Sequence, residues 1–514
     1  MNPVFLQAAI FITGCAGIVA EYVLSTLATY ILGNSVFQWT MVMSLMLFAM
    51  GVGSRVSRYF KDFLFDFFIF CEFTLSVLCA LSAVVSYSVS AYFQPSSTAL
   101  IIYFHSILIG MLIGMEIPLV TRINHNYTDL RINISSIMEK DYYGALIGGL
   151  FFVFIALPYF GLTYTPAVLG SINFFVALML ISSYFPIIKF KKTIVLSGIS
   201  SFLILLLIFA FAKPVIIFSE QKKYKDTIIY EEQTRYQKIV MTRWKDKIWL
   251  YLNGQQQFST YDEKRYHEPL VHPVMNISCF PENILVMGGG DGLAVREILK
   301  YKNVKKIDLV DLDPKMTDLA KNHPVLTSVN KGSLNSEIVN VHNNDAAFFL
   351  ESSGDIYDVI ILDFPDPDSM DLMHLYSEHF YKLINKHLSR TGAFVTQASS
   401  PYFTPKVFIS IEKTIQSAGF STIGYHQNVP TMGDWGFIIG TKNDVYSDKI
   451  LRKKYEEIKL DEVDTDFLTD DVLKSMLYFG KDVFSGIDHE KIMTNTKSHP
   501  VIFRYYEKGR WDIY

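Results

Sequence analysis

Cysteine, surplus charge and clustered metal ligands are all scarce in this sequence. The 514 residues include only four cysteines, spaced too widely for a disulfide framework or a metal-ligand motif: Cys15, Cys71, Cys79 and Cys279. A formal net charge of -4 supplies no basic surface, so nucleic acid is not an expected partner. Two histidines lie five residues apart, His267 and His272, without a third ligand at a useful spacing. We therefore expect no metal site.

Hydrophobic residues, by contrast, make up 50% of the chain and are concentrated before residue 219. About seven runs in this region are long enough to cross the roughly 30 Å hydrocarbon core of a bilayer. We place them at residues 4–31, 36–54, 63–92, 97–121, 143–160, 164–187 and 194–218. Runs of this length, one after another, exceed the helices of an ordinary soluble core. They predict a multi-pass membrane domain in contact with the lipid bilayer.

Beyond residue 219 the composition is that of a soluble α/β domain, and its central feature is the turn GGGDG at residues 288–292. An apolar run precedes the turn, a helix-like segment follows it, and a second apolar run ends at Asp311. A glycine cluster alone indicates only a tight turn. With both strands, the helix and the final acid, the pattern predicts a nucleoside site in which Asp311 binds ribose hydroxyls. Asp291 lies inside the turn, where its charge disfavours a pyrophosphate and favours a cationic nucleoside.

The pattern GGGDG followed by an acid pair resembles the spermidine synthase, or aminopropyltransferase, family. In the hydrophobic half, the segments GCAGIVAEYVLST and GMEIPL are similar to the membrane part attached to some bacterial members. The resemblance implies a methyltransferase-like Rossmann fold preceded by a small β-sheet. It also implies decarboxylated S-adenosylmethionine as co-substrate without a permanently bound cofactor, a diamine or polyamine such as putrescine as acceptor, and a homo-oligomer.

The apolar run at residues 357–362 ends in DFPDP, which places Asp363 and Asp366 at a strand terminus. A polyamine nitrogen has a pKa near the ~10.4 of lysine, so it must lose a proton before it can attack carbon. One carboxylate can accept that proton while the other holds the far ammonium. Two turn aspartates beside prolines are the structural alternative. The resemblance implies a catalytic role for Asp363 and an amine-holding role for Asp366. Phe364 and Pro365 replace two small hydroxyl residues of the family, a departure that bears on acceptor specificity.

The resemblance extends to further residues on both sides of the glycine turn. It implies donor contacts for Gln237, Gln257 and Asp345, and amine contacts for Tyr266, His267 and Gln397. Asp345 also fits the N-cap of a following helix, and both roles can hold together. Asp434 and Trp435 fit either a wall of the amine pocket or a simple turn.

We divide the chain into four parts. These are a membrane domain of about seven transmembrane helices at residues 1–219, a small β-sheet subdomain at 220–280, a Rossmann-like catalytic domain at 281–443, and a C-terminal extension at 444–514. For the extension we predict two short helices and a strand at residues 501–505, with no assigned chemistry.

The distribution of basic residues bears on orientation in the cell membrane. Lysines and arginines follow the second, fourth and sixth runs, so the positive-inside rule with seven spans would leave the catalytic domain outside. The nucleoside and amine that the resemblance implies are made inside the cell. We expect a cytoplasmic catalytic domain, which a re-entrant seventh segment would allow.

Two other functions stay open at this stage. One is an S-adenosylmethionine-dependent methyltransferase on the same fold. The other is a membrane polyamine transporter or sensor whose nucleoside-binding domain does not turn over. Three carboxylates in apolar runs, Glu21, Glu72 and Glu116, fit an amine-binding cavity under the second function, or ordinary interhelical hydrogen bonding.

Overall fold

The structure, a computed structural model, describes residues 3–124, 130–461 and 463–510. The chain divides into two compact units, Met1–Lys225 and Asp226–Tyr514, and each is described by itself. The boundary predicted at residue 219 falls within the last helix of the first unit, Lys191–Lys223.

The first unit consists of long helices. They are α1 (Pro3–Leu32), α2 (Ser35–Ser57), α3 (Leu64–Tyr92), α4 (Pro95–Asn124), α5 (Leu130–Phe151), α6 (Gly161–Tyr184) and α7 (Lys191–Lys223), with a π-helical segment, Phe152–Phe160, between α5 and α6. Among the described residues, six helical stretches are long and apolar enough to cross a membrane, judged by length and composition. One of them, Arg131–Tyr184, contains two of our predicted runs, and Gly161 interrupts it with a φ of 59°. The count of seven crossings stays a prediction.

Close contact between α2 and α4 depends on glycines. A Cβ atom on Gly114 would lie 2.1 Å from the carbonyl oxygen of Met50, and one on Gly110 would lie 2.8 Å from that of Met46. Small residues four apart let two helix backbones approach each other in this way. The pair therefore serves helix packing inside the chain.

Two carboxylates in this unit are deeply buried. Glu72 is fully buried, and neither of its carboxylate oxygens has a hydrogen-bond partner among the residues that the structure covers. Glu116 is 3% exposed, and one of its oxygens is likewise unpartnered within the described ranges. Simple interhelical hydrogen bonding thus does not account for Glu72.

The second unit begins with the small antiparallel sheet expected before the Rossmann core. Its strands, paired in chain order, are β1 (Thr227–Gln233), β2 (Lys238–Trp244), β3 (Lys247–Leu252) and β4 (Gln255–Ser259). Asn253 and Gly254 join β3 to β4 with φ values of 52° and 84°. Positive φ at both positions is what a two-residue hairpin turn requires, which is why Asn-Gly predicts it.

A seven-stranded sheet follows. Its strands are β5 (Asn283–Gly288), β6 (Lys306–Asp311), β7 (Val339–Asn343), β8 (Tyr357–Asp363), β9 (Leu388–Gln397), β10 (Phe420–Val429) and β11 (Gly433–Lys442). The spatial order is β10-β11-β9-β8-β5-β6-β7, with β5 to β9 parallel and β11 antiparallel to both of its neighbours, β9 and β10. The strand order reverses between β5 and β8, and such a switch point opens a crevice at the carboxyl ends of the strands.

Helices cover both faces of this sheet. They are α8 (Lys264–Ile277), α9 (Leu293–Ile298), α10 (Pro314–Asn322), α11 (Pro324–Asn330), α12 (Ala346–Ser352), α13 (Glu378–His387), α14 (Pro405–Ser417), α15 (Asp448–Glu456), α16 (Asp470–Ser475) and α17 (Ile502–Glu507). Short 3-10 turns lie at Ser333–Asn335, Met370–Tyr376 and His489–Lys491. Apolar residues of the strands and helices form one core layer on each face.

The strand predicted at residues 501–505 is wrong, because this segment is the helix α17. It packs on α14 rather than beside a strand. A β-strand needs a neighbour for its backbone hydrogen bonds, and α14 offers none. Ile502, fully buried, instead joins the core layer that α14 helps to form.

Candidate active site

The glycine turn lies tightly between the ends of two strands. Gly288, Gly289 and Gly292 have φ values of 76°, 62° and 80°, which side-chain-bearing residues rarely adopt. A Cβ on Gly288 would lie 2.1 Å from the carbonyl oxygen of Asp363, at the end of β8. A Cβ on Gly290 would lie 2.5 Å from Oδ2 of Asp311, at the end of β6. The turn thus brings backbone amides and two carboxylates together at the switch point.

Asp311 is fixed by backbone donors. Its Oδ2 accepts a hydrogen bond from the amide of Gly290 at 3.1 Å, and its Oδ1 accepts one from the amide of Asp313 at 2.9 Å. Burial raises the pKa of Asp311 to about 6. Gln237 lies near Asp311, since its Nε2 donates to Oδ2 of Asp313, two residues further along the chain, at 3.0 Å. The small sheet and β6 therefore meet at the position expected for the nucleoside.

Asp291 is buried inside the turn, with 9% of its surface exposed. Its Oδ1 accepts a hydrogen bond from the amide of Leu293 at 2.9 Å, and Nδ2 of Asn330 donates to its carbonyl oxygen at 2.8 Å. Burial raises the pKa of Asp291, while the charge of the nearby His267 opposes that rise. These hydrogen bonds fix the position of Asp291, and a bound cation would stabilise its buried negative charge.

Asp363 accepts a hydrogen bond from the hydroxyl of Tyr266, with 2.7 Å between the two oxygens. Burial raises the pKa of Asp363 to about 6; the charge of Asp291 adds to this, and His267 and the Tyr266 hydroxyl work against it. Tyr266 comes from α8, just after the small sheet. An aspartate with this pKa can change protonation near neutral pH, which suits a proton acceptor.

A buried ion network lies behind this pair. His267 places Nδ1 at 3.1 Å from Oε2 of Glu263, and Glu263 receives two hydrogen bonds from Arg296 at 2.9 and 2.8 Å. Burial lowers the pKa of His267, but Glu263 outweighs it and brings that pKa to about 9. The imidazolium therefore stays charged and offsets part of the negative charge of Asp291 and Asp363. No local sequence pattern indicates this role for Arg296, which approaches from α9.

Asp366 lies in a second recess formed by later parts of the chain. Its Oδ2 accepts hydrogen bonds from Oγ of Ser399 at 3.2 Å and from the hydroxyl of Tyr506 at 3.1 Å. Its Oδ1 is buried and has no partner within the part of the chain that the structure describes. Burial raises the pKa of Asp366 to about 7. One oxygen is thus positioned by hydroxyls, and the other is left for a ligand.

Gln397 and Phe364 support this recess from behind. Nε2 of Gln397 donates to the carbonyl oxygen of Phe364 at 2.9 Å and to the hydroxyl of Tyr376 at 2.5 Å, and its Oε1 accepts from the amide of Ser399. The ring of Phe364 is 7% exposed and packs edge-on against Tyr376 and Phe380. The amide of Gln397 is therefore occupied by protein groups, and the bulky residue in DFPDP faces the core.

The remaining predicted residues each make contacts of their own. Asp345 caps α12, where its Oδ1 accepts from the amide of Phe348 at 2.9 Å. Gln257, on β4, donates to the carbonyl oxygen of Gln255 at 3.3 Å. Asp434 pairs with Nδ1 of His426 at 2.7 Å, and the ring of Trp435 lies 6.3 Å from that of Tyr266. The N-cap alternative for Asp345 is thus realised, and Trp435 lies beside the Tyr266–Asp363 pair.

The chemical character of the site is that of a cation-binding crevice. Four carboxylates line the strand ends and their recesses, Asp291, Asp311, Asp363 and Asp366, against one charged imidazole. In the described ranges, no group of three or more His, Cys, Asp or Glu side chains could hold a metal ion. The arrangement fits organic cations, with Asp363 available as a proton acceptor.

Comparison with known proteins gives consistent matches. A spermine/spermidine synthase domain matches residues 263–450. The polyamine aminopropyltransferase of Oceanobacillus iheyensis is 38% identical over 509 residues, which cover 98% of this chain and 96% of that protein. Polyamine aminopropyltransferase 2 of Aquifex aeolicus is 40% identical over 504 residues, 98% of each chain. A crystal structure of spermidine synthase in complex with the transition state analogue AdoDATO aligns with 50% of this chain and 87% of that one, at 24% identity and a TM-score of 0.46.

Proposed function

The chain belongs to the polyamine aminopropyltransferase family, and on that premise we propose the reaction and the role of each site residue. The donor is decarboxylated S-adenosylmethionine, and the acceptor is a diamine such as putrescine. A neutral acceptor nitrogen attacks the aminopropyl carbon next to sulfur. The new C–N bond forms as the C–S bond breaks, and the electron pair of that bond goes to sulfur. The products are methylthioadenosine and, from putrescine, spermidine, together with one proton.

The observation that carries this assignment is Asp363 at the end of β8, held by Tyr266 beside the glycine turn. An ordinary aspartate is far too weak a base for an ammonium group. Burial raises the pKa of Asp363 from 3.8 to about 6, which brings it closer to the pKa of the ammonium and lowers the cost of the proton transfer by about 3 kcal/mol. Proximity of the bound amine to the sulfonium carbon supplies most of the remaining rate enhancement.

The donor lies across the carboxyl ends of β5 and β6 in this proposal. Asp311 accepts hydrogen bonds from the ribose hydroxyls, and Asp345 accepts one from the adenine amino group. Asp291 pairs with the aminopropyl ammonium, and Gln237 and Gln257 contact the nucleoside. Charge supports this arrangement, because the sulfonium and the ammonium make the donor a dication facing buried carboxylates.

The acceptor occupies the space between Asp363 and Asp366. One nitrogen faces Asp363 and the Tyr266 hydroxyl, while the distal ammonium pairs with the free Oδ1 of Asp366. His267 holds its charge behind the site, where it keeps both Asp291 and Asp363 ionised. Gln397 supports the recess by its hydrogen bond to the backbone carbonyl of Phe364.

The direct test is product analysis with purified full-length protein, decarboxylated S-adenosylmethionine and a panel of amines. We expect methylthioadenosine and an aminopropylated amine, detected by mass spectrometry. Asp363→Asn should lower kcat by about 100-fold or more, the usual contribution of a general base. Asp355→Asn, an exposed change just before the opposite end of β8, should not. A methylated amine formed in a parallel incubation with intact S-adenosylmethionine would indicate a methyltransferase, and binding of the donor without turnover would indicate a sensor.

We propose further that the first unit spans the cell membrane and that the catalytic unit faces the cytoplasm. The six long apolar stretches support the first statement, and the intracellular origin of both substrates supports the second. Cys279 offers a test, since it is an exposed free thiol in the second unit. A membrane-impermeant maleimide should label Cys279 only after cells are opened, and Cys279→Ser should abolish that labelling. Labelling in intact cells would place the catalytic unit outside.

By its resemblance to the family, we propose that the protein is a homo-oligomer. Native mass spectrometry of the protein in detergent tests this, and a single chain at micromolar concentration would refute it.

A further inference from the structure

The recess around Asp366 contains a residue from the far end of the chain. Tyr506 lies on α17, in the C-terminal extension to which the sequence assigned no chemistry and beyond the matched domain at residues 263–450. Its hydroxyl donates to Oδ2 of Asp366 at 3.1 Å. Oγ of Ser399 is a second hydroxyl donor to the same oxygen.

The extension is fastened on the loop after β8 through Asn495. This residue is fully buried, and its Nδ2 donates to the carbonyl oxygens of Met373 and Tyr376 at 3.0 and 3.1 Å. Its Oδ1 accepts from the amide of Val501 at 3.0 Å, immediately before α17. The start of the helix is therefore tied to the wall of the acceptor recess.

The end of the same segment is fastened on the loop after β9. The amide of Arg510 donates to the carbonyl oxygen of Phe403 at 2.7 Å, and its Nη1 donates to that of Tyr402 at 3.3 Å. Ser399, the other hydroxyl donor to Asp366, belongs to this loop. Tyr506 is thus held at both ends of its segment, over the two loops that build the recess.

We propose that Tyr506 is a positioning residue for the acceptor: its hydroxyl orients Asp366 and favours its charged form, so that the free Oδ1 meets the distal ammonium of a diamine. This inference rests on the proposed function. The C-terminal extension then forms part of the acceptor site and contributes to selection for acceptors that carry a second positive charge.

The physical reason is charge-assisted hydrogen bonding. A hydroxyl that donates to a carboxylate stabilises the ionised form, and without it a buried aspartate is more readily protonated. Since the pKa of Asp366 is about 7, its charge at neutral pH depends on such donors. Loss of the hydroxyl removes negative charge from the point that holds the distal ammonium, and it leaves the donor site untouched.

The test compares Tyr506→Phe with the unaltered full-length enzyme, using putrescine and n-butylamine as acceptors. For putrescine we expect KM to rise about tenfold, in line with the weight of a hydrogen bond to a charged group, with little change in kcat or in the donor KM. The acid limb of kcat/KM for putrescine should move to higher pH. n-Butylamine lacks the distal ammonium, so its kinetics should not respond. A purely structural role would change both acceptors alike.

Tyr505→Phe is the matched control. Tyr505 lies on the same helix, but its hydroxyl accepts from the amide of Met493 at 3.3 Å, away from Asp366. It should behave as the unaltered enzyme. Equal responses of both acceptors to Tyr506→Phe, or an unchanged putrescine KM and pH profile, would overturn the inference. Asp366→Asn distinguishes failure of this inference from failure of the proposed function. If Asp366→Asn raises the putrescine KM while Tyr506→Phe does not, the inference fails and the proposed function stands.

Discussion

Asp291→Asn should reduce the preference of the enzyme for the decarboxylated donor. In our proposal Asp291 pairs with the aminopropyl ammonium, and the carboxylate of ordinary S-adenosylmethionine would meet the same group. The variant keeps the local structure, because Oδ1 of an asparagine can still accept from the amide of Leu293. It removes only the charge.

The size of the effect follows from burial and charge. A hydrogen bond to a charged group contributes about 1.5 to 3 kcal/mol, which the decarboxylated donor loses in the variant. Two unit charges about 4 Å apart interact by about 4 kcal/mol at an effective dielectric constant near 20, which is the repulsion relieved for S-adenosylmethionine. The positive charge of His267 offsets part of the charge of Asp291. We therefore use the lower end of the hydrogen-bond energy and about half of the repulsion energy. A combined change of about 3 kcal/mol alters the ratio of dissociation constants by about 100-fold.

Isothermal titration of both nucleosides against the full-length protein measures this ratio directly. Asp318→Asn is the control, since it removes the same charge from an exposed position on α10. Its donor preference should equal that of the unaltered protein. A preference within twofold of the original in Asp291→Asn would refute the role that we give to this carboxylate.

Three further predictions concern the same crevice. In our proposal Asp363 acts in its charged form with a pKa of about 6, so kcat/KM for n-butylamine, which does not pair with Asp366, should fall tenfold per pH unit below that value; a flat profile down to pH ~5 would contradict it. Tyr266→Phe removes a hydrogen-bond donor to Asp363 and raises the pKa of that carboxyl group, so the acid limb of the kcat/KM profile should move to higher pH. A move to lower pH would contradict this role of Tyr266. Gly290→Ala places a Cβ 2.5 Å from Asp311 and should raise the donor KM about tenfold or more, whereas Gly354→Ala, with open space around it, should not.

The core of the site could be read from the sequence because its members follow one rule. Asp311 and Asp363 each end a strand of a parallel sheet, and the glycine turn follows a third. The carboxyl ends of neighbouring parallel strands meet at one edge, so local patterns far apart in the chain predict a common location. Asp291 adds to this from inside the turn.

Other contacts obey no such rule. Arg296 reaches Glu263 across 33 positions, and Tyr506 reaches Asp366 across 140. Neither contact has a local signature, since an arginine on a helix and a tyrosine in a polar tail usually face solvent. Only the assembled fold decides which of many such side chains is turned inward. Local patterns therefore indicate no chemistry for the extension, and the pattern at residues 501–505 predicts a strand where the fold has the helix α17.

Substrate charge explains why so many acids are kept in one crevice. The site holds Asp291, Asp311, Asp363 and Asp366 beside the imidazolium of His267, and burial raises the pKa of all four carboxyl groups. That arrangement costs folding free energy, because buried like charges repel and lose their hydration. A dicationic donor and a dicationic acceptor supply four positive charges that relieve it. In our proposal this cost is offset best by ligands with cations at both ends, which favours the decarboxylated donor over S-adenosylmethionine, whose tail also carries a carboxylate, and favours diamines over monoamines without any added steric barrier.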